Sequence, residues 1–137
     1  MLLCDQTKRK ETNSMTLTRE KTRKPWGKYE ILFSDETCKV KRIIVNPNKR
    51  LSLQSHEHRK ETWIITQGKA KYQKGDHFFH ASRGEHIVIG KNEKHRIENC
   101  KEDEDLIFVE VQIGDYFGED DIIRYEDDFG RVEGETK

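Results

Sequence analysis

From Lys24 onward the chain is a succession of short apolar and β-branched segments separated by turn-forming residues, and no segment has the length and period of an amphipathic helix. Turn signals such as SDET, NPNK, KGD and SRGE follow one another at close spacing, which is typical of strands joined as hairpins. The pattern therefore predicts an all-β, antiparallel sandwich or barrel of about nine strands. The predicted strands are YEILF, CKVKRIIV, LSLQSH, TWIIT, KAKYQ, HFFHA, HIVIG, HRIEN and LIFVEVQI.

The size and composition of the chain favour one small domain with a thin core. The 137 residues are 32% hydrophobic and 38% charged. A chain of this length forms a single domain, and so few apolar residues suit a small barrel or a core completed by a second subunit. We therefore expect one domain that forms a homodimer.

The two ends of the chain lack this strand pattern. We predict a flexible arm over residues 1–23, a domain over residues 24–131 and a short tail over residues 132–137. No apolar run approaches the roughly 20 residues that span a bilayer, and MLLC is too short for a secretory signal. The three cysteines show no CxxC spacing. These features predict a cytoplasmic protein with reduced thiols and no membrane association.

Charge is balanced overall but unevenly distributed along the chain. Residues 25–100 carry 15 Lys and Arg against nine Asp and Glu, whereas residues 101–137 carry four against 14. The basic residues alternate with apolar ones and form no block, and no nucleic-acid motif accompanies them. We expect a small anionic ligand rather than a nucleic acid, the alternative being a solvated surface of mixed charge.

The stretch SLQSHEHRKETW places Gln54, His56 and His58 at alternate positions, followed by Glu61. Alternate residues of a strand share one face. If that face is the interior of a barrel, two imidazoles and a carboxylate there suit a divalent metal. The alternative is a strand whose polar face meets solvent.

A second group of polar residues follows later in the chain, with Gly84, an apolar strand, a turn and then His95 and Asn99. Together with HxH and Glu61, this arrangement resembles the paired motifs of the cupin superfamily. The resemblance implies a cupin fold, a small antiparallel jelly-roll barrel. It also implies one divalent metal, with zinc expected, bound by His56, His58, Glu61 and His95.

Two details depart from the general cupin pattern. Only two residues separate His58 from Glu61, where that pattern has three or four. Gly90 and Asn92 stand where Pro and Gly are usual in the second motif.

Longer blocks are similar to the cupin domain of type II mannose-6-phosphate isomerases. They are KPWGKYE, KVKRIIVNP, LSLQSHEHRKETW, HRIEN and VQIGDYFGEDDIIRYEDDFGR. The resemblance implies a metal-dependent aldose–ketose isomerase that interconverts mannose 6-phosphate and fructose 6-phosphate. In that family the domain usually follows a mannose-1-phosphate guanylyltransferase. No Gly-rich phosphate loop occurs here, so we expect no guanylyltransferase activity.

Isomerisation needs a base, a grip on the phosphate and stabilisation of an oxyanion. Glu61 and Glu110 are the candidate bases, and alternation places Glu110 on one face of its strand with Phe108 and Gln112. The resemblance favours Arg59 as the catalytic arginine. The remaining candidate substrate-binding residues are Gln54, Arg96 and Lys41. Lys41 and Arg42 lie on opposite faces of their strand, so at most one of them faces the interior.

Two other functions share the same fold and metal site. One is a non-catalytic, metal-bound sugar-binding cupin, and the other is an isomerase or epimerase of a related sugar phosphate or nucleotide sugar. Fold alone does not separate them.

Overall fold

The computed structural model describes residues 21–132, which form eleven β-strands. In chain order they are β1 (Lys21–Lys24), β2 (Gly27–Ser34), β3 (Cys38–Val45), β4 (Leu53–Ser55), β5 (Arg59–Gln67), β6 (Lys69–Lys74), β7 (His77–Ser82), β8 (His86–Ile89), β9 (His95–Asn99), β10 (Leu106–Gly114) and β11 (Ile123–Glu126).

The strands form two antiparallel sheets, as the turn spacing predicts. The order in the six-stranded sheet is β1-β2-β3-β10-β5-β8, and in the five-stranded sheet it is β11-β4-β9-β6-β7. Each of the nine predicted segments forms a strand. The prediction missed β1 and β11, which are short and mostly exposed and therefore lack an apolar period.

Strand β1 begins inside the stretch predicted to be a flexible arm. Its residues are exposed or half-buried, and β1 is held by backbone pairing with β2 from Lys21 opposite Glu30 to Lys24 opposite Gly27. The rest of that arm, residues 1–20, and most of the predicted tail, residues 133–137, lie outside the described residues.

The central strands β5 and β10 each carry apolar side chains at one end and polar ones at the other. Phe108 pairs with Ile65 at the apolar ends, while Gln112 pairs with Glu61 at the polar ends. All four side chains are buried. Because the strands are antiparallel, their polar ends lie side by side, and the interior has an apolar half and a polar half.

The apolar half is the core of the domain. Buried residues of both sheets meet there, and the rings of Trp63 and Phe108 lie 5.4 Å apart. The buried side-chain amide of Asn99 links the end of β3 to the loop before β10, because it donates to the carbonyls of Val45 at 3.0 Å and Glu104 at 2.8 Å. Within the described residues no helix is long and apolar enough to cross a bilayer.

Candidate functional site

Three potential metal ligands meet in the polar half of the interior. His56 follows β4, Glu61 lies on β5 and His95 begins β9. His56 Nε2 lies 3.2 Å from Glu61 Oε2, and His95 Nε2 lies 3.9 Å from Glu61 Oε1. The three side chains are at most 4% exposed, and one donor atom from each lies within 4.8 Å of the others.

Backbone carbonyls fix the orientation of both imidazoles. His56 Nδ1 lies 2.6 Å from the carbonyl oxygen of Asp121, and His95 Nδ1 lies 2.9 Å from that of Glu93. A carbonyl only accepts, so Nδ1 carries the proton and Nε2 presents its lone pair towards Glu61. This outer hydrogen bond is characteristic of metal-binding histidines.

The two imidazoles are neutral near pH 7. Burial, together with the positive charge of the neighbouring Arg59, lowers the pKa of His56 to about 4. Burial likewise lowers the pKa of His95 to about 4. Neutral imidazole is the form that binds a metal ion.

His58 does not join this group. The carboxylate of Asp121 accepts the backbone N–H groups of Glu57 at 2.9 Å and His58 at 3.0 Å, and the chain bends there. The predicted alternation therefore ends at His56, and the His58 side chain is 50% exposed, with Nδ1 3.6 Å from Asp115 Oδ1. The structure brings together three of the four predicted ligands.

Arg59 lies beside the three ligands. Its Nε and Nη2 atoms each lie 2.9 Å from Glu61 Oε2, and Nη2 also lies 3.3 Å from His56 Nε2. The side chain is 6% exposed. Among the described residues, its buried Nη1 atom has no hydrogen-bond partner.

A second buried carboxylate, Glu110, lies next to Glu61. Trp63 Nε1 donates to both, at 3.0 Å to Glu61 Oε1 and 3.3 Å to Glu110 Oε2. Gln112 donates to Glu110 Oε1 at 2.8 Å. Burial, reinforced by the nearby Glu61 carboxylate, raises the pKa of Glu110 to about 7. Two adjacent carboxylates in a dry site resist being ionised together.

A cavity opens onto these groups and carries an excess of positive charge. Its charged lining comprises six Lys and Arg residues against three Glu residues. They are Lys24, Lys41, Arg59, Arg96, Arg124, Arg131, Glu61, Glu110 and Glu119. A cavity with this balance suits an anionic ligand.

Lys41 and Arg96 reach this cavity from opposite sheets. Lys41 Nζ lies 2.7 Å from Glu119 Oε2 and 4.0 Å from the centre of the Tyr29 ring. Arg96 donates through Nε to the carbonyl of Leu51 at 2.9 Å, and its Nη1 lies 3.2 Å from a carboxylate oxygen of Glu126. As predicted, only one of Lys41 and Arg42 faces the interior, and it is Lys41.

Seven of the nine predicted site residues line the cavity. They are Lys41, Gln54, Arg59, Glu61, His95, Arg96 and Glu110. Gln54 also donates to Ser52 Oγ at 2.8 Å. His56 adjoins the cavity through Arg59 and Glu61, and His58 lies outside it.

The sequence analysis missed two acidic residues that shape the site. Glu119 and Asp121 belong to an acidic run that has the composition of a solvated surface. In the structure Glu119 pairs with Lys39 and Lys41, and Asp121 holds the bend at His58. A loop has no side-chain period, so nothing local in the sequence signals these contacts.

Two antiparallel sheets around a buried His–Glu–His group define a cupin. The likeness to solved structures agrees with this fold: the cupin domain of Schizosaccharomyces pombe Cnp3 gives a TM-score of 0.61 at 15% identity, covering 76% of this chain and 72% of that one. Bacillus subtilis oxalate decarboxylase gives 0.69 at 15% identity, covering 77% and 30%. The predicted fold is confirmed.

The sequence also matches a particular family. Residues 10–127 match the family model described as mannose-6-phosphate isomerase C-terminal, and the chain belongs to that family.

Curated relatives of the chain are much longer proteins. Xanthan biosynthesis protein XanB of Xanthomonas campestris pv. campestris (strain B100) is 40% identical over 112 residues, 82% of this chain and 24% of that protein. Mannose-1-phosphate guanylyltransferase RfbM of Salmonella typhimurium is 38% identical over 124 residues, 90% of this chain and 26% of that one. The chain spans about a quarter of the length of these relatives.

Proposed function

We propose that this cupin interconverts mannose 6-phosphate and fructose 6-phosphate with the help of one divalent metal, zinc being the expected ion. The observation that carries the proposal is the pairing of two buried carboxylates, Glu61 and Glu110, with two neutral imidazoles in a cavity that has an excess of positive charge. An aldose–ketose isomerase needs a base, an electrophile and a phosphate site, and this cavity offers groups for each.

The metal would be held by His56, Glu61 and His95. Two histidines and one carboxylate are a donor set used for divalent transition metals. The two Nε2 lone pairs face the Glu61 carboxylate, which supports this assignment. When bound, the metal would polarise the sugar carbonyl and hold its oxygens.

Glu110 is the better placed of the two candidate bases. Glu61 is engaged by Arg59 and belongs to the ligand group, whereas Glu110 stands next to that group without being part of it. In the proposed reaction Glu110 takes the proton from one of the carbons C1 and C2 and returns it to the other, while a hydroxyl proton passes between O1 and O2.

The phosphate would be bound by Lys41 and Arg96. Both are buried cations in the cavity lining, and both have carboxylate neighbours that a phosphate could replace. Arg59 instead contacts Glu61 of the ligand group. Its buried Nη1 donor can serve a sugar oxygen that becomes negatively charged in the transition state.

One observation favours a second candidate function. Arg59 contacts His56 and Glu61, two of the three proposed ligands, and a barrel in which Arg59 keeps these contacts could bind a sugar phosphate without catalysis.

Homodimer formation and a cytoplasmic location stay predictions of the sequence.

A coupled assay tests the proposal. The chelator-treated protein is loaded in turn with Zn, Mn, Co and Ni, and fructose 6-phosphate formed from mannose 6-phosphate is followed through NADPH production. We expect turnover with at least one metal, and a loss of about 10²- to 10⁴-fold in kcat for Glu110→Gln. Glu36→Gln, which alters an exposed carboxylate, should keep full activity. If the protein binds mannose 6-phosphate but turns it over with none of the four metals, the second candidate, a non-catalytic sugar-phosphate-binding protein, is favoured.

A further inference from the structure

The guanidinium of Arg59 contacts two of the three candidate ligand residues, His56 and Glu61. Its Nε atom donates to Glu61 Oε2 at 2.9 Å, and its Nη2 atom lies 2.9 Å from the same oxygen. Nη2 also lies 3.3 Å from His56 Nε2. His95 Nε2 has no such contact with Arg59 in the described structure.

The contact with His56 cannot coexist with coordination by the same atom. Asp121 holds the proton of His56 on Nδ1, so Nε2 has a single lone pair. That lone pair either accepts a hydrogen bond from Arg59 or binds a metal ion. Glu61 Oε2 has more than one lone pair, but a guanidinium and a divalent ion on the same oxygen would repel each other strongly in so dry a site.

Arg59 has a clear role in the absence of metal. Glu61 is 2% exposed, and a buried carboxylate without a cation is strongly destabilised. Arg59 supplies that cation from two residues away on the same strand. The buried Nη1 atom of Arg59 has no hydrogen-bond partner among the described residues, so this position of the guanidinium leaves one of its nitrogen donors unsatisfied.

We infer that Arg59 is an internal competitor of the metal: the guanidinium balances Glu61 while the site is free of metal and leaves His56 when a metal binds. The metal affinity of the site is therefore set by Arg59 as well as by the ligands. This inference rests on the proposed function only in taking His56, Glu61 and His95 as the metal ligands.

Metal affinity measured on variants tests the competition without reference to catalysis. Co²⁺ binding to the chelator-treated full chain is followed by calorimetry and by absorption. Arg59→Met removes the charge and keeps an unbranched side chain, and it should bind Co²⁺ at least about tenfold more tightly than the unmodified protein because no competitor remains. Arg96→Met is the matched control, because Arg96 is equally buried at 6% exposure but contacts none of the three ligands. Its affinity should change less than about threefold.

The opposite result identifies a different role for Arg59. If Arg59→Met binds Co²⁺ equally or more weakly than the unmodified protein, Arg59 orients Glu61 instead of competing, and the inference is wrong. Absence of Co²⁺ binding in both proteins also overturns it. Isomerase activity is measured separately, so an inactive protein whose affinity rises in Arg59→Met would support the competition and contradict the proposed reaction.

A structure of the unmodified protein with zinc provides a test that does not depend on the variant folding. We expect the Arg59 guanidinium to have moved beyond hydrogen-bond distance of His56 Nε2, more than about 3.5 Å away. A zinc ion on Glu61 and His95 with the Arg59–His56 contact retained would overturn the inference.

Discussion

Glu61 and Glu110 lie on neighbouring antiparallel strands and accept the same indole N–H, that of Trp63, at 3.0 and 3.3 Å. Register explains the arrangement, because β5 and β10 place Trp63 directly opposite Glu110 and Glu61 directly opposite Gln112. One donor therefore stabilises two carboxylates that repel each other. Glu61 belongs to the group of three candidate metal ligands, and Glu110 lies beside that group.

Replacing Trp63 by Phe should destabilise the metal-free protein. The variant leaves two buried carboxylates without a shared donor, and an unsatisfied buried acceptor costs about 1–3 kcal/mol. Urea unfolding in the presence of a chelator measures the loss. Trp26→Phe, which makes the same change at a core residue that is 5% exposed, is the control for lost volume. Equal losses for the two variants would show that the indole N–H contributes little.

The two histidines of the HxH motif should differ sharply in metal binding. His56→Gln removes a buried imidazole from the group of candidate metal ligands. We expect the zinc content of this variant to fall below about a tenth of that of the unmodified protein. His58→Gln changes a half-exposed side chain outside that group and should leave zinc content unchanged. Elemental analysis after gel filtration measures both. Loss of zinc in His58→Gln would restore the four-ligand site that the sequence motif implies.

The ion pair of Glu119 should make stability depend on pH in acid. Burial opposes ionisation, but Lys41 and then Lys39 outweigh it by attraction and hydrogen bonding and lower the pKa of Glu119 to about 2, from an ordinary value of 4.5. Because the folded-state pKa is the lower one, the stabilisation is fully present above pH 4.5 and is lost as the pH falls towards 2.

Comparison of the unmodified protein with Glu119→Gln measures this contribution. At pH 7 the variant should be less stable by on the order of 1 kcal/mol, a modest value because the carboxylate is half exposed. The difference should shrink steadily between pH 4.5 and pH 3. Glu36→Gln, at an exposed turn, should show no such change. A difference that stayed constant through this range would contradict the assigned pKa.

The fold and most of the cavity could be predicted because they follow from strand alternation. Phe108, Glu110 and Gln112 alternate on a regular strand, and all three are buried. The resemblance supplied the pairing of Glu61 with His95, which lie 34 positions apart in the chain and which no local pattern connects. A long regular strand fixes the direction of each side chain, and a local alternation of residues is then enough to show which side chains face the interior.

The direction of His58 could not be predicted, because it depends on a distant residue. Asp121 accepts two backbone N–H groups at the bend and ends the strand period there. The contacts of Arg59 could not be predicted either. Sequence spacing indicates that Arg59 lies near Glu61, but it does not show that the guanidinium contacts both Glu61 Oε2 and His56 Nε2. Hydrogen bonds between loops and strand ends decide such details, and they have no periodic signature.

Proton NMR of mannose 6-phosphate in D₂O, with the metal-loaded protein, tests the central claim most directly. If Glu110 moves the proton through an enediol, the signals of fructose 6-phosphate should grow. When the proton held by Glu110 exchanges with solvent before it is returned, deuterium should also appear at C2 of the remaining mannose 6-phosphate. Both changes should slow by about 10²- to 10⁴-fold in Glu110→Gln, while that variant keeps its zinc. Unchanged mannose 6-phosphate spectra, recorded with the sugar in excess and with Zn, Mn, Co and Ni bound to the protein in turn, would contradict the claim.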